Sequence, residues 1–328
     1  MSNCKICGSI ASSIKKVEGY KENKYYQIYY CESCDASFSD CYPDDSSIYN
    51  LIYENASFIS GYGRYDTYKN NVLKNENPFE YLSEAEDMYW AIKQSISKGH
   101  LKKTSKILEV GCGMGYLTFS LNKEGFDIKG CDISEKAIEK AKKTYGLSSS
   151  ELFFVADIYK ISENDSLRYD TIILTEVIEH IYDPLHFINT LLKLLKNNGN
   201  VIITTPNKTA YKKSVFWTSD LPPVHYWWLS ENSFEKIALL TNSSIQFIDF
   251  SQYNIDRHLF VDDDNIKDGV STFDKNGNLL LKSSKFLFML KFLIKKTWAF
   301  DVIKYVKFKL TKKDISKSYV LCCILQKR

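Results

Sequence analysis

Apolar residues in this chain occur in short continuous runs that are separated by stretches of helical spacing. Strands are predicted where the runs fall, at residues 107–110, in a segment that ends at Asp132, and at 152–157, 169–177, 200–206, 245–250 and 319–325. Helices are predicted between them, with Ser134, Asp183 and Ser230 as N-caps. Because strands buried on both faces are apolar throughout, this alternation indicates an α/β fold with a parallel, doubly wound sheet. Ligands of such a sheet lie at the carboxyl ends of its strands.

Three segments do not fit the sheet pattern. Residues 42–104 are rich in tyrosine, with helical spacing over Pro78–Ile96, and either cover a ligand or pack between domains. Residues 207–229 form a long aromatic loop, which is typical of a functional site. The predicted units are a module at 1–41, a linker with lid helices at 42–104, a core at 105–255, a basic amphipathic insertion at 256–317 and the last core strand at 318–328.

A glycine-rich turn follows the first predicted strand of the core. Gly111, Gly113 and Gly115 stand at alternate positions, directly before a helical stretch. Such a turn lets the backbone approach a ligand and aims the N-terminus of the next helix at it. A dinucleotide-binding turn would have its third glycine at position 116, where this chain has Tyr116. The spacing therefore favours another ligand, and Glu109 adds an acidic residue just before the turn.

Acidic residues also end the next two strands, with Asp132 after the second and Asp157 after the third. Helix capping, worth about 1 kcal/mol at each site, does not explain why both fall at matching strand ends. The glycine turn is followed along the chain by the two strand-end carboxylates and then by the strand at 200–206. Features in this order resemble the motifs of the class I S-adenosylmethionine (AdoMet) methyltransferases. The resemblance covers roughly residues 80–255 and the last strand. It implies a Rossmann-like, seven-stranded, mostly parallel sheet.

The resemblance also implies which residues bind AdoMet. They are Glu109, Gly111, Gly113, Gly115, Asp132, Ile133, Asp157, Ile158 and Thr175. Asp132 corresponds to the acidic residue that accepts hydrogen bonds from the ribose hydroxyls, and Asp157 and Ile158 correspond to the pair that contacts adenine. The glycines let the backbone pass close to the methionine moiety.

The exit of the fourth strand carries two carboxylates and an imidazole. If it is helical, Glu176, Glu179 and His180 share one face and could hold a divalent ion such as Mg²⁺. The Glu-x-x-Glu-His sequence resembles that of polyprenyl-catechol O-methyltransferases of ubiquinone synthesis and of small-RNA 2′-O-methyltransferases, in which these residues are metal ligands. Alternatively, His180 is a general base and Glu176 a wall of the AdoMet pocket, or all three only pack.

A second candidate for the catalytic base lies in the aromatic loop. His225 stands just before the helix that Ser230 is predicted to cap. In related methyltransferases a histidine in this position faces the acceptor. The alternative is a half-buried histidine that is bonded to backbone.

Two CxxC pairs stand near the N-terminus. Cys4 and Cys7 form the first, and Cys31 and Cys34 form the second. Two such knuckles complete a tetrahedral Zn–S₄ site of structural type, so the segment resembles a zinc ribbon. Incidental free cysteines are the alternative, and a redox pair would need a βαβ setting that this segment lacks.

Composition places few limits on these predictions. The chain has 328 residues, 44% of them hydrophobic, which is enough for a full core. The net charge of +3 is too slight to indicate a nucleic-acid partner. No signal sequence or long apolar run is apparent, and nine cysteines suit a reducing compartment, so we expect a cytoplasmic protein.

A four-cysteine ribbon before a methyltransferase core resembles bacterial sugar methyltransferases of polysaccharide biosynthesis. We therefore expect methyl transfer to a hydroxyl, or a carbon, of a sugar, nucleotide sugar or lipid-linked glycan. The alternatives are an RNA methyltransferase, an O-methyltransferase of a polyprenyl or phenolic small molecule, and a non-catalytic AdoMet-binding scaffold. Lys282–Lys313, with ten lysines among apolar residues, could contact the inner face of a membrane, form a solvated basic face or, least favoured, bind nucleic acid.

Overall fold

The computed structural model describes residues 2–39, 47–55, 58–59, 62–146, 151–161, 169–210, 215–216, 218–262, 268–280 and 298–328. Much of the predicted basic insertion, residues 281–297, lies outside these ranges, as do Tyr211 and Trp217 of the aromatic loop. Among the described residues, no helix combines the length and the apolar character needed to cross a bilayer.

The first sheet is antiparallel and carries the CxxC pairs. Its strands are β1 (Ser2–Asn3), β2 (Ile10–Glu18), β3 (Tyr25–Cys31) and β4 (Ala36–Ser39). Helices α1 (Ser47–Glu54), α2 (Arg64–Lys74), α3 (Pro78–Ala85) and α4 (Asp87–Ser97) follow. The sequence predicts one helix over Pro78–Ile96, but Glu86 is extended (φ −138°, ψ 142°) and separates α3 from α4. Its carboxylate accepts hydrogen bonds from Arg64 and Tyr68, so contacts with α2 hold this break.

The main sheet confirms the predicted Rossmann-like architecture. Its strands are β5 (Lys106–Val110), β6 (Asp127–Asp132), β7 (Phe153–Val155), β8 (Tyr169–Thr175), β9 (Leu195–Pro206), β11 (Ser243–Phe247) and β12 (Val320–Lys327). Within the described residues they form a seven-stranded sheet in the order β11-β12-β9-β8-β5-β6-β7. β12 runs antiparallel to β9 and β11, and the other pairs are parallel. The short strand β10 (Trp227–Trp228) leaves the aromatic loop and pairs with β4 of the first sheet.

Helices connect the main strands and cover both faces of the sheet. They are α5 (Tyr116–Lys123), α6 (Glu135–Tyr145), α7 (Ile158–Ile161), α8 (Pro184–Leu194), α9 (Glu231–Leu240), α10 (Ser251–Arg257) and α11 (Trp298–Leu310). The predicted N-caps are confirmed, because the side chains of Ser134, Asp183 and Ser230 each accept a hydrogen bond from a backbone N–H of the first turn. Such caps supply acceptors for donors that the helix itself leaves free.

Two buried clusters fill the space on either side of the main sheet. One packs α2–α6 against β5, β6 and β9 through residues such as Leu117 and Ile107. The other joins α8 and α9 to the sheet, and it continues without interruption into Ile6, Ala36 and Phe38 of the first sheet. The CxxC sheet therefore shares its core with the main domain.

Candidate functional site

The glycine turn joins β5 to α5 and has left-handed backbone at each of its three glycines. Their φ angles are +74° at Gly111, +50° at Gly113 and +74° at Gly115. A Cβ on Gly111 would lie 2.5 Å from Val177 Cγ2, and one on Gly115 would overlap the Phe153 ring. A Cβ on Gly113 would meet no heavy atom of the described chain within 4 Å. Packing thus requires the outer two glycines, whereas Gly113 borders open space.

Glu109 lies beneath this turn and is 2% exposed. Its carboxylate accepts hydrogen bonds from the backbone N–H of Thr118, at 2.9 Å, and from the hydroxyls of Thr118 and Thr175. Burial nevertheless raises the pKa of Glu109 to about 7. Glu109 therefore ties β5 to α5 and β8, as well as lining the cavity described below.

The carboxylates predicted at the strand ends hold the backbone around the turn. Asp132 Oδ2 accepts from Gly113 N at 2.9 Å, and Asp132 Oδ1 accepts from Ser134 N at 2.8 Å. Ile133 is 76% exposed next to it. Asp157 Oδ1 accepts from Tyr159 N at 3.0 Å, and the Ile158 side chain is buried in the core. Asp132 ends β6 and Asp157 lies two residues after the end of the adjacent parallel strand β7, so both lie at the carboxyl edge of the sheet, as predicted from the sequence.

A cavity of about 710 Å³ lies at the carboxyl edge of the sheet, beside the glycine turn. Among the predicted residues, its lining includes Glu109, Gly111, Gly113, Thr175, Glu176, Glu179, His180 and His225. Tyrosines from α1, α4, α5 and α10 contribute aromatic walls, at Tyr49, Tyr89, Tyr116 and Tyr253. The cavity thus joins the predicted cofactor turn to both predicted catalytic histidines.

The exit of β8 is not the α-helix that would place Glu176, Glu179 and His180 on one face. Glu176 has a φ of +54°, and Ile178–His180 form a 3₁₀ turn. The Glu176 backbone N–H donates to Thr204 O at 3.1 Å on the neighbouring strand. The cluster of possible ligand atoms in the described chain comprises Glu179, His180 and His225, within 4.8 Å of one another, and does not include Glu176.

The two histidines and Glu179 face one another. The His180 and His225 ring centroids lie 4.6 Å apart with the planes at 84°, and His180 Nε2 lies 3.8 Å from Glu179 Oε1. His180 Nδ1 is 2.7 Å from Val224 O, which can only accept, so Nδ1 carries the proton and Nε2 keeps its lone pair. In the described chain, Glu179 Oε1 and His225 Nδ1 are buried without a hydrogen-bond partner. These atoms therefore fit a ligand or metal ion.

Six carboxyl groups of the described chain line the cavity, together with the cationic side chains of Arg64 and Lys140. The carboxyl groups belong to Glu86, Asp87, Glu109, Glu176, Glu179 and Asp220. Burial raises the pKa of Glu86 to about 7, that of Glu179 to about 8 and that of Asp220 to about 6. It lowers the pKa of His180, and that of His225 still further. A ligand with positive charge would be favoured in such a site.

Some residues that line the cavity were not predicted from the sequence. Arg64, Glu86, Asp87 and Asp220 reach the cavity from α2, α4 and the aromatic loop. Weak signals existed, since Arg64 follows a turn-like Gly61-Tyr62-Gly63 stretch and Asp220 lies in the loop predicted to be functional. No recognisable sequence motif links any of these residues to the glycine turn.

The four predicted cysteine ligands converge in the first sheet. Cys4 Sγ lies 3.6 Å from Cys34 Sγ, Cys7 Sγ lies 3.4 Å from Cys31 Sγ, and all four sulfurs are within 4.8 Å of one another. Four thiolates at about 2.3 Å from a tetrahedral zinc ion would be about 3.8 Å apart. The donor set thus fits zinc, and we call β1–β4 with these cysteines the ribbon.

The ribbon is hydrogen-bonded to the wall of the cavity. Ser39 N donates to Tyr226 O, and Tyr226 N donates to Glu179 O, both at 2.8 Å. Trp227 pairs with Phe38 in the β4–β10 ladder. His225 therefore stands next to a backbone segment that the ribbon holds on one side and the Glu179 turn holds on the other.

Comparison with known proteins gives the family. A family model described as a methyltransferase domain matches residues 85–245. The ubiquinone biosynthesis O-methyltransferase of Pelagibacter ubique is 30% identical over 224 residues, which are 62% of this chain and 88% of that protein. The chain belongs to the class I AdoMet-dependent methyltransferases. The predicted family, with AdoMet as its methyl donor, is thereby confirmed.

Other relatives of the methyltransferase match over shorter parts of their length. The ubiquinone biosynthesis O-methyltransferase of Rickettsia akari is 32% identical over 146 residues, which are 44% of this chain and 57% of that protein. The methyltransferase thus spans less than two thirds of that relative. A solved AdoMet-dependent methyltransferase from Archaeoglobus fulgidus has 13% identity and a TM-score of 0.43, over 72% of this chain and 92% of that one. The relatives named here do not support the expected glycan acceptor or a role in polysaccharide biosynthesis.

Proposed function

We propose that this methyltransferase transfers the methyl group of AdoMet to a hydroxyl of a phenolic small molecule of the polyprenyl type. The observation that carries the proposal is the Glu179, His180 and His225 group, which shares one cavity with the glycine turn. The names of the relatives support O-methylation in quinone biosynthesis. The aromatic walls of the cavity suit a planar ring better than a sugar with many hydroxyls.

Methyl transfer requires alignment of the acceptor and removal of its proton. The acceptor oxygen attacks the methyl carbon in line, the C–S bond breaks, and S-adenosylhomocysteine leaves as the O–CH₃ bond forms. The hydroxyl proton must pass to a base. His180 fits this role, because its Nε2 lone pair faces the cluster and burial lowers the pKa of the imidazole, which keeps it neutral at physiological pH.

The same atoms fit a divalent ion. Glu179 Oε1, His180 Nε2 and His225 Nδ1 would supply one carboxylate and two imidazole ligands. Two imidazoles favour Zn²⁺ or Fe²⁺ over the Mg²⁺ considered from the sequence. A bound ion would act as a Lewis acid that lowers the pKa of an acceptor hydroxyl. Glu176, outside this group, remains as a wall of the cavity whose burial holds its pKa well above the usual value.

In the ribbon, we propose a structural zinc ion held by Cys4, Cys7, Cys31 and Cys34. The four sulfurs already surround one point, and such a closed set leaves no open coordination position. Its effect on methyl transfer would therefore be indirect, through the position of the segment around Tyr226.

The test compares three histidine variants with labelled AdoMet and a panel of phenols, nucleotide sugars and tRNA. His180→Gln and His225→Gln are expected to lower kcat on the phenol by about 10²–10⁴-fold, because each removes a proton acceptor or ligand. His186→Gln is the matched control, since His186 is exposed and stacks on Tyr159 instead. Calorimetry with AdoMet should give similar affinities for all three.

Two results would count against the proposal. One is turnover of sugars or tRNA without turnover of any phenol. The other is wild-type phenol turnover by both His180→Gln and His225→Gln. Repeating the assay after chelation and re-addition of Zn²⁺, Fe²⁺ or Mg²⁺ shows whether the cluster acts with a metal ion or as a base alone.

A further inference from the structure

Helix α11 presents a stripe of aliphatic side chains to solvent. Val302 and Val306 are each 46% exposed, Ile303 is 55% exposed and Leu310 is 76% exposed. At about 100° of rotation per residue, these four positions fall within one arc of about 100°. The four side chains form one contiguous apolar surface, and its burial would remove that surface from water. Isolated exposed apolar residues need no explanation, but a contiguous surface does.

The opposite side of α11 packs on the protein. Lys304 and Phe308, which lie across the helix from the stripe, are half-buried. The His258 ring contacts Phe308 and Tyr305, with centroid distances of 5.8 Å and 5.0 Å. The aliphatic stripe therefore points away from the molecule and is not the face by which α11 is attached.

Lysines border the stripe on both sides. Lys307 and Lys309 are exposed and lie at opposite edges of the apolar arc. Residues 298–313 contain five lysines and one aspartate in the sequence. An aliphatic face with cationic borders is the pattern of a helix that lies in the surface of an anionic bilayer. At 13 residues, or about 20 Å, α11 is too short to span one.

The attachment point of α11 is next to the cavity. The three residues that directly follow His258 in the sequence line the cavity, namely Leu259, Phe260 and Val261. Lys313 Nζ lies 3.8 Å from Asp262 Oδ1, and the Asp262 N–H donates to the hydroxyl of Tyr319, another lining residue, at 3.1 Å. Anything that holds the outer face of α11 therefore also fixes the position of this cavity wall.

We propose that α11 docks the protein on the surface of an anionic lipid bilayer and so places the Leu259–Val261 wall of the cavity close to the membrane. An acceptor with a lipid-soluble chain could then enter the cavity from the bilayer. This second step rests on the proposed function, whereas the docking does not. An RNA-binding surface would contact RNA through lysines and aromatic rings rather than through valine and isoleucine. Dimerisation through the stripe would bring the lysine borders of both copies together.

The test is vesicle flotation of the full chain without AdoMet. Vesicles of phosphatidylcholine with phosphatidylglycerol should recruit the wild type, and phosphatidylcholine alone should recruit it far less. V302E/V306E should lose the recruitment, and K307Q/K309Q should lower the affinity roughly twenty-five-fold, at about fivefold for each lysine. Val270→Glu is the matched control, because Val270 is also exposed, by 55%, and its neighbour Gly269 is hydrogen-bonded to Phe216 of the aromatic loop. It should float like the wild type.

Further measurements separate this proposal from its alternatives. The affinity for AdoMet, measured by calorimetry, should be unchanged in every variant, which shows that each is folded. The proposal is overturned if the wild type stays unbound, if V302E/V306E floats as well as the wild type, if RNA binds in place of vesicles, or if V302E/V306E only converts a dimer into a monomer. Turnover of a short, water-soluble phenol tests the proposed function separately, since its failure would not alter flotation.

Discussion

At the scale of single residues, the site depends on polar groups that the core holds in place. Glu109 bonds to Thr118 and Thr175, and Asp132 bonds to the backbone of Gly113 and Ser134. Both carboxylates were predicted from the sequence, because each belongs to a local motif at a strand end. Asp220 and Arg64 were not, since only the fold brings them to the cavity.

Glu109→Gln should change how stability depends on pH. The pKa of Glu109 is about 7 in the folded protein and near 4.5 when unfolded. Its stabilising contribution is thus fully present below pH 4.5 and is lost as the pH rises through 7. Relative to Glu109→Gln, the wild type should lose about 2 kcal/mol between pH 5 and pH 8, measured by urea unfolding. The same trend in Glu84→Gln, an exposed control on α3, would refute a specific role for Glu109.

Gly113→Ala should separate backbone strain from ligand contact. Gly113 and Gly99 both have positive φ, and at neither would a Cβ meet a described heavy atom within 4 Å. Alanine at either position should lower the free energy of unfolding by about 1 kcal/mol. Because Gly113 lines the cavity and Gly99 does not, only Gly113→Ala should weaken AdoMet binding, by roughly tenfold or more. Equal AdoMet affinities of the two variants, by calorimetry, would place the ligand elsewhere.

At the scale of elements, local patterns were predicted well and tertiary contacts were not. Apolar runs and caps predicted the core strands and the helices α5, α6, α8 and α9, because periodicity and capping chemistry are properties of short segments. The short helices α7 and α10 were not predicted. The break at Glu86 was missed, since glutamate favours helices and its partners Arg64 and Tyr68 lie on another helix. The left-handed Glu176 was missed for a related reason, because a glutamate rarely adopts positive φ without tertiary support.

At the scale of the whole molecule, ribbon and main domain form one buried body. One cluster of buried residues runs from Cys4 and Phe38 through Trp227 to Phe234 on α9. Polar bonds reinforce it, since the hydroxyl of Ser233 donates to Cys34 O at 2.9 Å and Lys208 Nζ lies 2.5 Å from Asp35 Oδ1. The sequence predicted the ribbon from cysteine spacing, but nothing in that spacing indicated where it would dock.

Cys34→Ser is therefore expected to affect the whole protein. By metal analysis, the variant should contain about one zinc ion per chain fewer than the wild type, whereas Cys131→Ala should retain the ribbon zinc. Thermal unfolding should remain a single transition at lower temperature, because the two sheets share a core. Turnover of the acceptor should fall more than AdoMet affinity, since the ribbon contacts the Tyr226 segment. Two separate transitions with unchanged turnover would show instead that the ribbon is an independent appendage.

The ladder between β4 and β10 also has a consequence for how this enzyme can diverge. The Phe38 ring contacts the Trp227 ring in a tilted arrangement, with centroids 5.0 Å apart, and the Ser39 N–H donates to the carbonyl of Tyr226. An insertion or deletion of one residue in β4 would change this register and turn His225 within its cavity. Changes in the first 39 residues could thus alter acceptor preference while the strands of the predicted AdoMet site stay unchanged.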